Sequence, residues 1–180
     1  MNIFYLDKNP KIAAQMHCDK HVVKMVTEYA QMLSTAHRVC DGDVVADREG
    51  LYRTAFKNHP CTAWVRQSKG NYNWLSDLWG YLGCEYQYRY GKKVHKAATK
   101  EWLFYSPDNI PKKDTLFTGV SSPPPQCMPE KYMCNPHTAT LDDTVQAYRD
   151  YYWHDKSPIA DWTRREPPNW YMVKLMENAA

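Results

Sequence analysis

The sequence predicts a mainly α fold, a single all-helical domain with a long central N-terminal helix and a long Pro-rich loop, on three observations. From Pro10 to Arg38 the chain has no Gly and no Pro beyond its first residue, and it is rich in Ala, Met, Leu, Lys and Gln, the good helix formers. From Tyr72 to Arg89, Leu75, Leu78, Trp79, Leu82 and Tyr86 recur at helical spacing. No apolar–polar alternation follows the first few residues, so no strand is expected beyond an N-terminal arm.

The elements follow in order. Residues 1–9 form the arm, mostly apolar from Asn2 to Leu6 and expected to tuck against the core. Asn9 as N-cap and Pro10 at the first position open the long helix, and the turn signal Asp41-Gly-Asp43 closes it near Arg38–Cys40. On that helix Val22, Val26, Tyr29, Leu33 and Ala36 share one broad face. His17, His21, Lys24 and Glu28 line roughly the opposite side and are expected to border a cleft. The same row also has the signature of a solvated face with weak charge pairs. Asp19 and His37 fall on the apolar side, where each requires a partner. After a polar connection, Pro60 starts a helix running to about Ser68. Lys69-Gly-Asn71 breaks it, and Tyr72–Arg89 is the second strong helix, with Glu85 expected to pair with Arg89 or a neighbour. The helical core spans 10–100. Residues 106–138 read as a functional or wrapped Pro-rich loop. The region 140–180 holds a helix from Asp142 to Trp153, a short one capped by Ser157, and a polar tail.

The totals narrow the partners. The chain's 180 residues suffice for a core, and a net charge of +3 permits an acidic partner. With 14 Tyr and 7 Trp against 4 Phe, the aromatics are those suited to wet interfaces and base stacking. Nothing near the N-terminus reads as a signal peptide, no apolar run approaches membrane length, and the 6 cysteines are scattered. A cytoplasmic protein with reduced thiols is expected, with no membrane partner. Arg89, Lys92, Lys93, Lys96 and Lys100, following tyrosines, suit a nucleic-acid backbone, or equally an ordinary basic helix end. Two groupings suggest metal: His17 and His21 with Asp19, and Cys127, Cys134 and His137. The first lacks a HExxH glutamate and the second a clear fourth ligand, so neither is assigned a metal. No Gly-rich phosphate loop, nucleophile elbow or paired CxxC occurs, and no cofactor is expected.

Three stretches carry a family likeness: Ala13-Ala-Gln-Met-His17 after the arm; Lys57-Asn-His-Pro60 leading through Trp64 to a helix closed by Arg89-Tyr-Gly91; and Met128-Pro-Glu-Lys-Tyr132, Asn135-Pro-His137, the helix after Thr140 and Pro168-Asn-Trp-Tyr171. In this order the chain resembles the pyrimidine-dimer DNA glycosylases of the bacteriophage endonuclease V type. The likeness implies a phage source, and so the host-cell cytoplasm. It also implies an N-terminal α-amine that attacks C1′ of a damaged nucleotide to give a Schiff base, helped by a helix-borne Glu. An α-amine, with an ordinary pKa of about 8, is partly neutral where a lysine is not. Asn2 is expected to block removal of Met1, making Met1 the nucleophile. The family's Arg-Glu pair has no counterpart, since the matching region reads Lys20-His-Val-Val-Lys24; Asp19 or Glu28 is the candidate substitute.

Three readings follow. The first is a DNA-acting enzyme on pyrimidine bases, glycosylase/lyase-like with an altered catalytic set: Met1, His17, Asp19, His21, Lys24 and Glu28. Asn58, His59, Arg89, Lys92, Lys93, Lys96, Trp170 and Tyr171 would bind DNA, the last two stacking as a nucleotide flips. The second is a DNA hypermodification transferase that attaches an amine or amino acid to an activated thymine, the His/Lys/Asp cluster deprotonating the amine. The third is a non-catalytic DNA-binding protein in which the histidines are structural.

Overall fold

The computed structural model describes residues 1–91, 93–112 and 119–179. Among these the chain is helical with no strand, as the sequence pattern predicts. The α-helices are α1 (Pro10–Met16), α2 (Asp19–Cys40), α3 (Asp43–Arg48), α4 (Pro60–Val65), α5 (Lys69–Tyr90), α6 (Leu141–Tyr151) and α7 (Asn169–Ala179). The long helices α2 and α5 pack on each other, α1 lies on α5, and α3 and α4 lie on α2. Val22, Val26, Tyr29, Leu33 and Ala36 of α2 are fully buried, as are Leu75, Leu78, Trp79 and Leu82 of α5. The buried apolar side chains form one cluster. No described helix is long and apolar enough to cross a membrane.

The arm is irregular, with Leu6 N donating to the Phe4 carbonyl, and it is buried. Ile3, Tyr5 and Leu6 have no exposed surface. Burying each such side chain stabilises by about 1.5–3 kcal/mol, enough to offset the ordering cost of about 1–2 kcal/mol per residue. Asn9 caps α1 by accepting from Lys11 N and Ile12 N, with Pro10 following as expected.

The predicted single helix over 10–38 is two. His17 and Cys18 are extended and break it, and the reason lies in α5. The buried Arg89 guanidinium donates from Nη2 to the Gln15 carbonyl (2.9 Å) and from Nη1 to the His17 carbonyl (2.8 Å). It thereby satisfies carbonyls that the end of α1 leaves without helical partners. Nη1 also reaches Asp19 Oδ1 at 3.0 Å and Nε reaches Glu85 Oε2 at 3.1 Å. Asp19 thus has the partner its position demanded, and its other oxygen accepts from Thr163 N (2.9 Å) and Thr163 Oγ1 (2.6 Å). Glu85 is held additionally by Arg165. His37 likewise finds partners, with Nε2 beside the Tyr72 hydroxyl and the Tyr105 carbonyl.

Other boundaries differ from expectation. The polar connection after α2 contains α3. α5 begins at Lys69 because the Ser68 hydroxyl accepts from Asn71 N, so Lys69-Gly-Asn71 is its first turn and no break. The helix expected after Ser157 is a single 3₁₀ turn, Ser157–Ile159, preceded by a π-helical turn, Tyr152–Lys156. The expected polar tail is α7. The described parts of the Pro-rich loop wrap the surface, with Val120 and Met128 buried and the Trp64 indole donating to the Ser122 carbonyl.

Candidate functional site

The arm delivers Met1 to a group of polar side chains between α2, α4 and the Pro-rich loop. Asn2, nearly buried, is the anchor. Its Nδ2 donates to the Cys127 carbonyl (2.9 Å), its Oδ1 accepts from Ile3 N (2.8 Å), and the Tyr148 hydroxyl lies 2.8 Å from the same oxygen. The Met1 α-amine comes to 4.0 Å from Glu28 Oε2, and Lys24 Nζ holds Glu28 Oε1 at 3.1 Å. The Met1 sulfur lies 3.7 Å from Thr62 Oγ1.

The start of α4 forms the second wall. His59 is its N-cap, with Nδ1 accepting from Cys61 N at 3.2 Å, and Pro60 takes the first helical position. Burial and the positive α-amine hold the His59 imidazole below its ordinary range, while Glu28 pulls the other way. The Cys61 thiol donates to Cys127 Sγ across 3.4 Å. That hydrogen bond brings the Cys127 thiol down to about 7 and pushes Cys61 up.

The expected catalytic residues divide. Met1, Lys24 and Glu28 meet. His17 and His21 do not border the expected cleft; the arm covers them, Phe4 stacking on His21 at 4.2 Å between ring centroids. His17 donates from Nδ1 to the Ala13 carbonyl (2.7 Å), so its Nε2 accepts from the Tyr29 hydroxyl (3.1 Å). The Tyr152 hydroxyl serves His21 Nδ1 and accepts from Cys18 N. Burial holds His17 down to about 4 and His21 down to about 3, so both are neutral near pH 7. Asp19 is occupied by Arg89 and Thr163, away from the amine.

The expected DNA contacts divide as well. Asn58 is exposed and His59 half-buried beside the amine. Arg89, expected to hold phosphate, is 1% exposed with its donors engaged by Asp19, Glu85 and two carbonyls, so it cannot reach one. Lys92 lies outside the described residues. Lys93 and Lys96 are exposed on the turn after α5. Tyr171 is buried against Trp153 and Trp162, leaving no free face for a base. Trp170 is half-buried, with Arg149 over its ring.

Phe56 is absent from the residues the sequence singles out. It is 69% exposed with φ of 47°, a left-handed backbone rare for an aromatic residue, and its carbonyl accepts from His59 N at 2.9 Å. Its position just before Lys57-Asn58-His59 is the one signal that points to it. Cys127, Cys134 and His137 do not assemble: Cys134 turns to Gln126, and Cys127 joins His59 and Cys61. No protein-family model matches the chain, and no curated protein or solved structure does so.

Proposed function

We propose that the protein is an enzyme on pyrimidine bases in DNA, glycosylase/lyase-like, with the Met1 α-amine as nucleophile and Glu28 as its acid/base partner. The observation that carries this reading is the 4.0 Å approach of Glu28 to the amine. Glu28 supplies a helix-borne carboxylate, and Lys24 orients it. The neutral amine attacks C1′ and passes a proton to Glu28. The glycosidic bond breaks, its electron pair leaves on the base, and the base takes up a proton. Opening of the sugar ring, with a proton delivered to O4′ by Glu28, leaves a Schiff base between Met1 and C1′. In this reading exposed Phe56 would fill the gap left by a flipped nucleotide, and the exposed Lys57 and Asn58 beside it would meet the phosphates. The order of the family-like motifs and the helical fold support the same reading.

Borohydride trapping on duplex DNA carrying a thymine dimer, with an abasic-site duplex alongside, tests it. A covalent complex that is lost on acetylating the α-amine and reduced in Glu28→Gln is the expected result. DNA binding with no trapped complex on either duplex contradicts it. The burial of His17 and His21 favours a second reading, a non-catalytic DNA-binding protein with structural histidines, and the latter outcome would point to it or to the transferase reading. The same burial removes His17 and His21 from the cluster the transferase reading would use, while Lys24 stays exposed.

A further inference from the structure

We propose that His59, Cys61 and Cys127 form a binding site for a thiophilic divalent cation, zinc by its chemistry. Among the described residues these three bring one ligand atom each to within 4.8 Å of one another. Two separate segments fix them. His59 and Cys61 flank Pro60 at the start of α4, and Cys127 sits on the Pro-rich loop, tied down through its carbonyl by Asn2. Neither segment alone has a metal-ligand spacing; the fold makes the group.

The sulfur geometry favours an ion. Two thiolates on one tetrahedral zinc, each bonded at about 2.3 Å, lie about 3.8 Å apart. Cys61 Sγ and Cys127 Sγ are 3.4 Å apart. Sharing an ion therefore needs a separation of a few tenths of an ångström, whereas a disulfide at about 2.05 Å needs a much larger approach. The protonation states point the same way. The hydrogen bond from Cys61 lowers the Cys127 thiol to about 7, and burial with the positive α-amine lowers the His59 imidazole, so each gives up its proton to a metal more readily. Cys61 holds its proton because it is buried beside that sulfur; a divalent cation would displace the proton to solvent and remove the cause.

One hydrogen bond must be exchanged. His59 Nδ1 now accepts from Cys61 N, so either Nδ1 turns to the metal or it takes the ring proton and Nε2 ligates. The cap on a short helix is a small loss against a metal–ligand bond. Three protein ligands leave a fourth tetrahedral position for water or another group. The site adjoins the Met1 amine, whose charge already lowers the His59 imidazole, but metal binding is read without any step of the amine chemistry.

The test uses the full chain, stripped of metal by a chelator under reducing conditions, with its free thiols counted, and titrated with Co²⁺. We expect thiolate-to-cobalt charge-transfer absorption and intense tetrahedral d–d bands that saturate at one equivalent and disappear when Zn²⁺ is added. Cys61→Ser and Cys127→Ser should abolish the charge-transfer band, and Cys134→Ser should leave it. His59→Ala should weaken Zn²⁺ binding by more than about tenfold, the least that losing even an outer-shell partner costs. The wild-type spectrum stands even where a variant fails to fold. Reduced wild-type protein with no such band, or a band that follows Cys134 instead of Cys127, overturns the proposal. So does a Cys61–Cys127 disulfide that persists in the reduced preparation.

Discussion

Replacing Arg89 by Met, of similar length and without charge, separates a buried structural ion from a phosphate-binding one. The substitution removes the charge partner of Asp19 and one of the two partners of Glu85, and it orphans the Gln15 and His17 carbonyls. Breaking a buried ion pair from one side costs about 3–5 kcal/mol. Glu85 keeps Arg165, and Asp19 keeps Thr163. The loss therefore falls near the lower end, about 3 kcal/mol, and a chain of this size melts roughly 10 °C lower, at about 2–4 °C per kcal/mol. Lys at this position should not rescue it, because an ammonium cannot span four acceptors in one plane as the guanidinium fork does. Urea unfolding followed by tryptophan fluorescence reads the change, and a cycle with Asp19→Asn isolates the pair. Stability within about 0.5 kcal/mol of wild type, the range of ordinary surface substitutions, together with weakened DNA binding, would refute the structural role.

Acid should destabilise the protein early. His17 is held down to about 4 in the folded chain against about 6.5 in the unfolded one, so the unfolded chain binds the extra proton between those values. Stability is full above about pH 6.5 and falls toward pH 4, by on the order of 3 kcal/mol from His17 alone, with His21 adding in the same direction. Equal urea midpoints near pH 7.5 and near pH 4.5 would contradict this. Phe56→Ala should leave stability within about 0.5 kcal/mol but weaken binding to damaged duplex by about 1–3 kcal/mol, the worth of one base–aromatic stack; unchanged fluorescence anisotropy titrations would show the ring plays no part. Lys93→Ala with Lys96→Ala should leave the melt alone and flatten the salt dependence of DNA affinity, by about 0.9 in log–log slope for each phosphate that is no longer neutralised. An unaltered slope places the DNA elsewhere.

The fold class was legible because long stretches of good helix formers and the apolar spacing of α2 and α5 are local signals. The Glu85–Arg89 pair and the need for partners at Asp19 and His37 were legible for the same reason. The break at His17–Cys18 was not, because its cause is a guanidinium on α5, far along the chain. That break and the path of the arm also explain the site. A helical wheel puts His17, His21, Lys24 and Glu28 in one row, but Phe4 lies over the two histidines and leaves Lys24 and Glu28 to meet Met1. Nothing near Cys61 or Cys127 announces that their sulfurs touch, since the loop that brings them together folds back over the arm. α7 has a readable start, Pro167-Pro168 ahead of Asn169 and the largely apolar run Trp170–Met176, yet it reads as a tail because the run is short and ends in polar residues, and in the fold Val173, Leu175 and Met176 stay exposed.

The identity of the nucleophile decides the proposed chemistry, and mass mapping of the borohydride-reduced complex with thymine-dimer duplex reads it at the atom concerned. With the Met1 amine attacking beside Glu28, nuclease and trypsin digestion should yield a reduced sugar adduct on the α-nitrogen of the Met1–Lys8 peptide. That adduct should be absent from a preparation acetylated at Met1. An adduct carried by a lysine side chain, or no adduct on a protein shown to bind the duplex, would contradict the assignment.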